Sequence, residues 1–173
     1  MIRIEAVNSL PRDEFIDHFG GIYEHSPWVA ARAFEKRPFP SAAMLADAMR
    51  EAVDAASDEE KMALIQAHPD LAGKLARAGA LTADSTREQA GLGLDRLSDA
   101  LYEKISGLNT AYRERFGFPF ILCARLNTLE SMLESFESRL AHDRETEILE
   151  ALRQIHWIAR LRLGDKFGES LLS

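Results

Sequence analysis

Hydrophobic residues in this chain return at the helical interval almost from end to end, and no long alternating pattern of the strand type interrupts them. A chain patterned in this way buries one stripe per helix and packs helix on helix. Start signals punctuate the pattern. Ser9 with Pro11 opens a first helix that stops at Gly20-Gly21, and Ser26 with Pro27 opens a second, because proline suits the first helical turn. Ser41 precedes an alanine-rich amphipathic stretch running to about Ala56. Ser57-Asp58-Glu59-Glu60 is a capping-box pattern and starts the helix that delivers His68. Pro69 disfavours helical geometry at His68, so the histidine belongs at a helix end, where the chain turns.

A short helical piece, about Leu71 to Ala78, precedes Gly79, and Ser85-Thr86-Arg87-Glu88 reads as a second capping box. A long helix spans roughly Asp95 to Phe116, with Gly117 as its left-handed stop. Asn127 or Thr128 caps another helix, and Asp143 precedes a last long one reaching about Leu163. The expectation is an all-α fold, a single compact domain over residues 1–173 with about eight helices, some short.

The 173 residues, 46% hydrophobic and 28% charged, suffice to bury a core without disulfides or metals. Cys123 is the one cysteine, which excludes an internal disulfide and a cysteine-held zinc and suits a reducing compartment. With a net charge of -7 and scattered basic residues, no nucleic-acid partner is expected. No apolar run approaches the length of a membrane span, so no membrane partner is expected either. Met1-Ile2-Arg3-Ile4-Glu5 leads into a polar stretch rather than a signal-peptide core. Leu171-Leu172-Ser173 is not a peroxisomal address of the Ser-Lys-Leu kind, and a cytoplasmic location is expected.

Cofactor signatures are missing. Gly91-Leu92-Gly93 is too short for a phosphate loop, and no close histidine pair offers a metal site. His18, His25, His142 and His156 stand apart in sequence. Ordinary side chains must therefore supply any chemistry, with no cofactor and no metal.

Four places stand out. His68 can donate or accept a proton near neutral pH, or it can simply sit as a cation at a helix C-terminus. Glu88 beside Gln89 offers a carboxylate and an amide to a urea-like group, although Glu88 also stands where a capping-box glutamate belongs. Arg162 continues the apolar stripe Ile148, Leu152, Ile155, Ala159 of the last helix. An arginine there either meets an anion or hydrogen-bonding partners inside, or snorkels to solvent from the helix end. Finally, Gly117 to Ala124 is too apolar for a surface loop. Its irregular backbone either binds a ligand or fills the core, and Cys123 within it reads as a buried small hydrophobe.

Several segments together resemble the OHCU decarboxylase family, whose substrate is 2-oxo-4-hydroxy-4-carboxy-5-ureidoimidazoline. They are Arg37-Pro38-Phe39, the run His68-Pro69-Asp70-Leu71-Ala72-Gly73-Lys74, Leu81 to Ser85 continuing to Glu88-Gln89, Leu108-Asn109 with Tyr112 to Phe120, and Ile158 to Leu163. They cover most of the chain in the family's order. The resemblance implies an all-helical, cofactor-free enzyme of urate breakdown, commonly a homodimer, that makes (S)-allantoin. It implies that His68, Glu88 and Arg162 are catalytic. It also implies that Pro69, Ser85, Thr86, Arg87, Glu88 and Gln89, with Phe120, Ile121, Leu122, Cys123 and Ala124, contact the substrate. Two other classes compete: a non-catalytic helical adaptor, and a helical hydrolase or lyase acting on a different ureide.

Overall fold

The computed structural model describes residues 1–172, the side chain of Leu75 excepted. Ser173 of the terminal tripeptide lies outside the described residues. Among these, every regular element is helical, and eight of the α-helices have seven residues or more. The chain divides into two compact units, one of Met1–Ala67 with the segment from His156 onward and one of His68–Ile155.

The first unit holds α1 (Ile4–Ser9), α2 (Arg12–Phe19), α3 (Trp28–Phe34), α4 (Ala42–Asp54) and α5 (Asp58–Gln66). Helix α1 is not signalled by the sequence pattern. Ser9 closes it, its hydroxyl donating to the Glu5 carbonyl, rather than capping α2, whose N-cap is Pro11. Ser26 likewise turns back onto the Glu24 carbonyl, leaving Pro27 at the head of α3. Ser41 and Ser57 do cap. The Ser41 hydroxyl accepts from the Met44 amide, and Ser57 with Glu60 forms both halves of a capping box.

Helix α3 packs against α2 and α4. The core of this unit includes Phe15, Phe19, Leu45, Met49, Leu64 and Ile65, all fully buried. Phe15 meets Phe19 at 4.9 Å and Phe34 edge-on at 5.4 Å. Each such buried side chain contributes ~1.5–3 kcal/mol. Arg37-Pro38-Phe39 has a structural part. The Asn8 amide pairs with both the Phe39 amide and carbonyl, while Arg37 donates to the Leu10 carbonyl at 2.8 Å and lies 3.5 Å over the Phe34 ring.

The second unit holds α6 (Lys74–Arg77), α7 (Ala83–Gly91), α8 (Asp99–Phe116), a 3-10 turn (Ala124–Leu126) and α9 (Leu129–Arg139). Helix α10 (Arg144–Phe167) begins in this unit and continues into the first. Helix α6 is shorter than its expected span. Helix α8 starts at Asp99 rather than near Asp95, because the Ser98 hydroxyl accepts from the Leu101 amide and sets the first turn there. Gly117 adopts the left-handed conformation, φ 83°, and stops α8 as expected. Thr128 caps α9, and Asp143 accepts from the Thr146 amide at the start of α10, which runs on to Phe167.

The expected capping box at Ser85 is corrected. Thr82 is the N-cap of α7, its hydroxyl accepting from the Ser85 amide at 3.2 Å. Ser85 and Glu88 therefore lie inside the helix rather than at its N-cap and N3 positions respectively.

The second core is aromatic. Tyr112 lies 4.6 Å from Phe116 and 5.3 Å from Phe120, and Phe120 stacks on Phe136 at 3.7 Å. Glu147, fully buried, accepts from the Tyr112 hydroxyl at 2.5 Å and from Arg139 Nε at 2.8 Å, with His142 Nδ1 at 3.0 Å. Arg139 passes on to the Ile121 carbonyl at 2.7 Å. A buried carboxylate is tolerated only with such partners, and this one ties the Phe118–Ala124 stretch to α8, α9 and α10.

Candidate active site

His68 follows the C-cap of α5, Ala67, and is itself followed by Pro69, as the sequence predicts. The imidazole is 6% exposed and its Nε2 is shielded from solvent. Pro69 is half-buried. The chain then turns through Asp70, Leu71 and Ala72, and Ala72 takes a positive φ of 52°. That conformation is costly for a residue with a Cβ and persists only where the surroundings hold it.

Four hydrogen bonds hold this turn. The Ala72 amide donates to Gln89 Oε1 at 2.9 Å, and Gln89 Nε2 donates to the Asp70 carbonyl at 3.2 Å. Asn109 Nδ2 of α8 donates to the Leu71 carbonyl at 2.8 Å. Arg113 Nε reaches the Asp70 carboxylate at 2.9 Å. The Gln89 amide thus spends a donor and an acceptor on the backbone beside His68.

Helix α7 presents two faces. Ser85 and Gln89 are buried, Glu88 is half-buried, and Thr86 and Arg87 are exposed. The Thr86 hydroxyl donates to the Thr82 carbonyl, and Arg87 pairs with Asp84. Both of these expected substrate contacts are therefore engaged within their own helix. Thr86 and Gln89 line a cleft of about 390 Å³ with Ala72, Leu94, Arg77 and Tyr102. Ser85 and Glu88 are absent from that lining. Helix α7 also packs on the 3-10 turn Ala124–Leu126.

Phe120, Ile121, Leu122, Cys123 and Ala124 are all buried. The Phe120 ring belongs to the aromatic core. Several backbone groups of the segment are already occupied. Arg139 takes the Ile121 carbonyl, Gln154 Oε1 accepts from the Cys123 amide at 2.8 Å, and Asn127 Nδ2 donates to the Cys123 carbonyl at 2.9 Å. Burial, with the Glu88 carboxylate adding to it, pushes the Cys123 thiol up to about 11. A thiol held protonated at neutral pH is no nucleophile. The same influence makes Glu88 an electrostatic neighbour of Cys123.

Arg162 lies in the first unit, 4% exposed, with Nη1 2.7 Å from Glu24 Oε2. Glu24 is 2% exposed. The inward arginine therefore meets a carboxylate of its own chain. Glu24 falls in the short connection between α2 and α3, where no periodicity marks it. Asn109 and Glu147 were more legible. Asn109 falls on the buried stripe Ile105, Asn109, Tyr112, Phe116, and Glu147 on Glu147, Ala151, Ile155, so each is a polar residue on an apolar face. Among the described residues, no group of three or more His, Cys, Asp or Glu side chains is placed to hold a metal ion, and no helix is long and apolar enough to cross a membrane.

A family profile described as OHCU decarboxylase matches residues 8–164. The chain belongs to the OHCU decarboxylase family. A Haloferax volcanii protein named 2-oxo-4-hydroxy-4-carboxy-5-ureidoimidazoline decarboxylase is 44% identical, over 96% of this chain and 97% of its own length. A crystal structure of (S)-allantoin synthase matches with a TM-score of 0.76 at 34% identity, covering 95% of this chain and 54% of that chain. This chain thus spans about half of that protein. A crystal structure of OHCU decarboxylase in the presence of (S)-allantoin matches with a TM-score of 0.66 at 19% identity, over 82% of this chain and 92% of that one. The latter supports the OHCU decarboxylase fold alone.

Proposed function

We propose that this chain decarboxylates 2-oxo-4-hydroxy-4-carboxy-5-ureidoimidazoline to (S)-allantoin in urate breakdown, without a cofactor. The family match across residues 8–164 carries the proposal. The buried His68 at the head of a pinned turn supports it from the structure. One functional domain over residues 1–173 is proposed on the same ground, since the match spans both units.

The substrate carries a carboxylate and a hydroxyl on one ring carbon, beside a C=N. When the carboxylate leaves as carbon dioxide, its bonding pair forms a double bond to the neighbouring carbon. The displaced π pair ends on nitrogen, which takes a proton. The hydroxyl then gives up its proton, its carbon becomes a carbonyl, and the neighbouring carbon is protonated on one face. The net change consumes one proton and releases carbon dioxide.

His68 is the proton-handling group in this reading. Glu88 reads the ureido group or ring nitrogens, with Pro69, Ser85, Thr86 and Arg87 in the same contact set, while Gln89 serves that set through the Asp70–Ala72 turn on which its amide is spent. Phe120, Ile121, Leu122, Cys123 and Ala124 form an apolar wall that excludes water. Arg162 orients an oxygen substituent, a part that rests on the family resemblance. It must not over-stabilise the departing carboxylate, because uniform ground-state binding does not raise the rate.

The test generates the unstable substrate in situ from urate with urate oxidase and hydroxyisourate hydrolase and follows circular dichroism. Rapid appearance of optically active allantoin is expected. A slow, racemic background in the presence of the folded protein sinks the proposal, and so separates it from an adaptor or an enzyme for another ureide. A homodimer in the cytoplasm is also proposed. Light scattering that returns a monomer mass removes the dimer, and fractionation of the source cells checks the location.

A further inference from the structure

We propose that Asn109, seconded by Gln89 and Arg113, positions His68 by pinning the Asp70–Ala72 turn to α7 and α8. This rests on the catalytic reading of His68. Asn109 is 6% exposed, and its Nδ2 donates to the Leu71 carbonyl at 2.8 Å. Its Oδ1 is equally buried and finds no hydrogen-bond partner among the described residues. A half-satisfied amide in a core is unfavourable for stability, and an apolar side chain of similar volume avoids that cost. Asn109 therefore fits a geometric duty better than a stabilising one.

The duty is visible in the chain. Pro69 locks its own φ and separates His68 from the turn by a single residue. Once the Asp70 and Leu71 carbonyls and the Ala72 amide are fixed by Gln89 and Asn109, little freedom is left between the pins and the imidazole. Arg113 adds a third anchor through the Asp70 carboxylate. The positive φ of Ala72 shows that the surroundings impose the turn rather than follow it. A proton-transfer group displaced by about 1 Å loses up to about 100-fold in rate, so a pin of this kind is worth having.

The test uses Asn109→Leu in the full chain. It removes the donor and the unpaired acceptor together. Because the Leu71 carbonyl loses its donor while the unpaired Oδ1 also goes, the expected result is a melting temperature lowered by a few degrees at most, kcat down by about 10–100-fold, and KM within a few-fold of the parent. The kcat–pH profile and the His68 proton resonance in a histidine NMR titration are both expected to move. The NMR readout needs no turnover, so it judges the positioning role even if the parent makes no allantoin, which is the separate failure of the decarboxylase reading. An Asn109→Leu protein that folds with parental kcat, pH profile and His68 titration overturns the proposal. If Asn109→Leu does not fold, Arg113→Ala decides, because that side chain is 43% exposed and tolerates truncation. A shift of the His68 titration with a kcat loss of a few-fold supports the pin, and no change in either overturns it.

Discussion

The Arg162 guanidinium lies 2.7 Å from the Glu24 carboxylate, and both side chains are sealed from solvent at 4% and 2% exposure. Removing one member of such a pair leaves the other charge buried without that counter-charge, which typically costs about 3–5 kcal/mol. Glu24→Ala is therefore expected to lower stability by about that amount. Urea denaturation of the variant checks it. A midpoint shift worth under ~1 kcal/mol would mean that water or another group takes over the pairing.

His68→Ala is expected to keep the helical spectrum and a melting temperature close to the parent, while activity falls by about 10²–10⁴-fold. The measurement is the coupled dichroism assay on protein shown to be folded. A folded variant that turns over at the parental rate removes His68 from the chemistry.

Glu147 holds three partners, Tyr112, Arg139 and His142, and through Arg139 it reaches the Ile121 carbonyl. Glu147→Ala strands Arg139, which is 4% exposed, and is expected to destabilise by about 3–5 kcal/mol. Hydrogen exchange checks the route of the effect. The amides of Ile121 to Ala124 are expected to lose protection before those at the centre of α4, which lies in the other unit. Equal loss everywhere would contradict a local tie.

The helical architecture was legible because it is written locally. Ser41, Ser57, Thr128 and Asp143 each accept from an amide three residues on, a spacing that a sequence displays openly. The Ser85 box misled because two start signals overlap, and Thr82 wins by placing its hydroxyl on the Ser85 amide. The site was less legible for a different reason. Gln89 looks available for a ligand in sequence, yet its amide is spent on Asp70 and Ala72, and only the folded turn reveals that. Glu24 sits in an irregular connection, where no period singles out a partner for Arg162. Long-range polar pairing leaves no spacing to read, except where a polar residue such as Asn109 interrupts an apolar stripe.

Acid sensitivity is expected to come in part from His156. The Tyr23 hydroxyl lies 2.8 Å from His156 Nδ1, and burial, with the Asp54 carboxylate adding to it, raises the tyrosine above its ordinary range. The phenol therefore donates and Nδ1 accepts, which leaves the proton of the neutral ring on Nε2, 3.4 Å from Asp54 Oδ1. Burial is the main cause that brings His156 down to about 4, and Asp54 only partly opposes it. In the unfolded chain the ring titrates near its ordinary 6.5. Between these values the unfolded state binds more protons than the folded one, so stability falls as pH drops from about 6.5 to about 4. This acid penalty is absent above 6.5, is complete below about 4 and amounts to roughly 3 kcal/mol. His156→Gln removes the titration while keeping a side chain that can hydrogen-bond. Urea midpoints measured from pH 7 to pH 4 are expected to fall less steeply in the variant than in the parent. Parallel curves would show that His156 is already charged in the folded protein, or that it does not contribute to the acid limb.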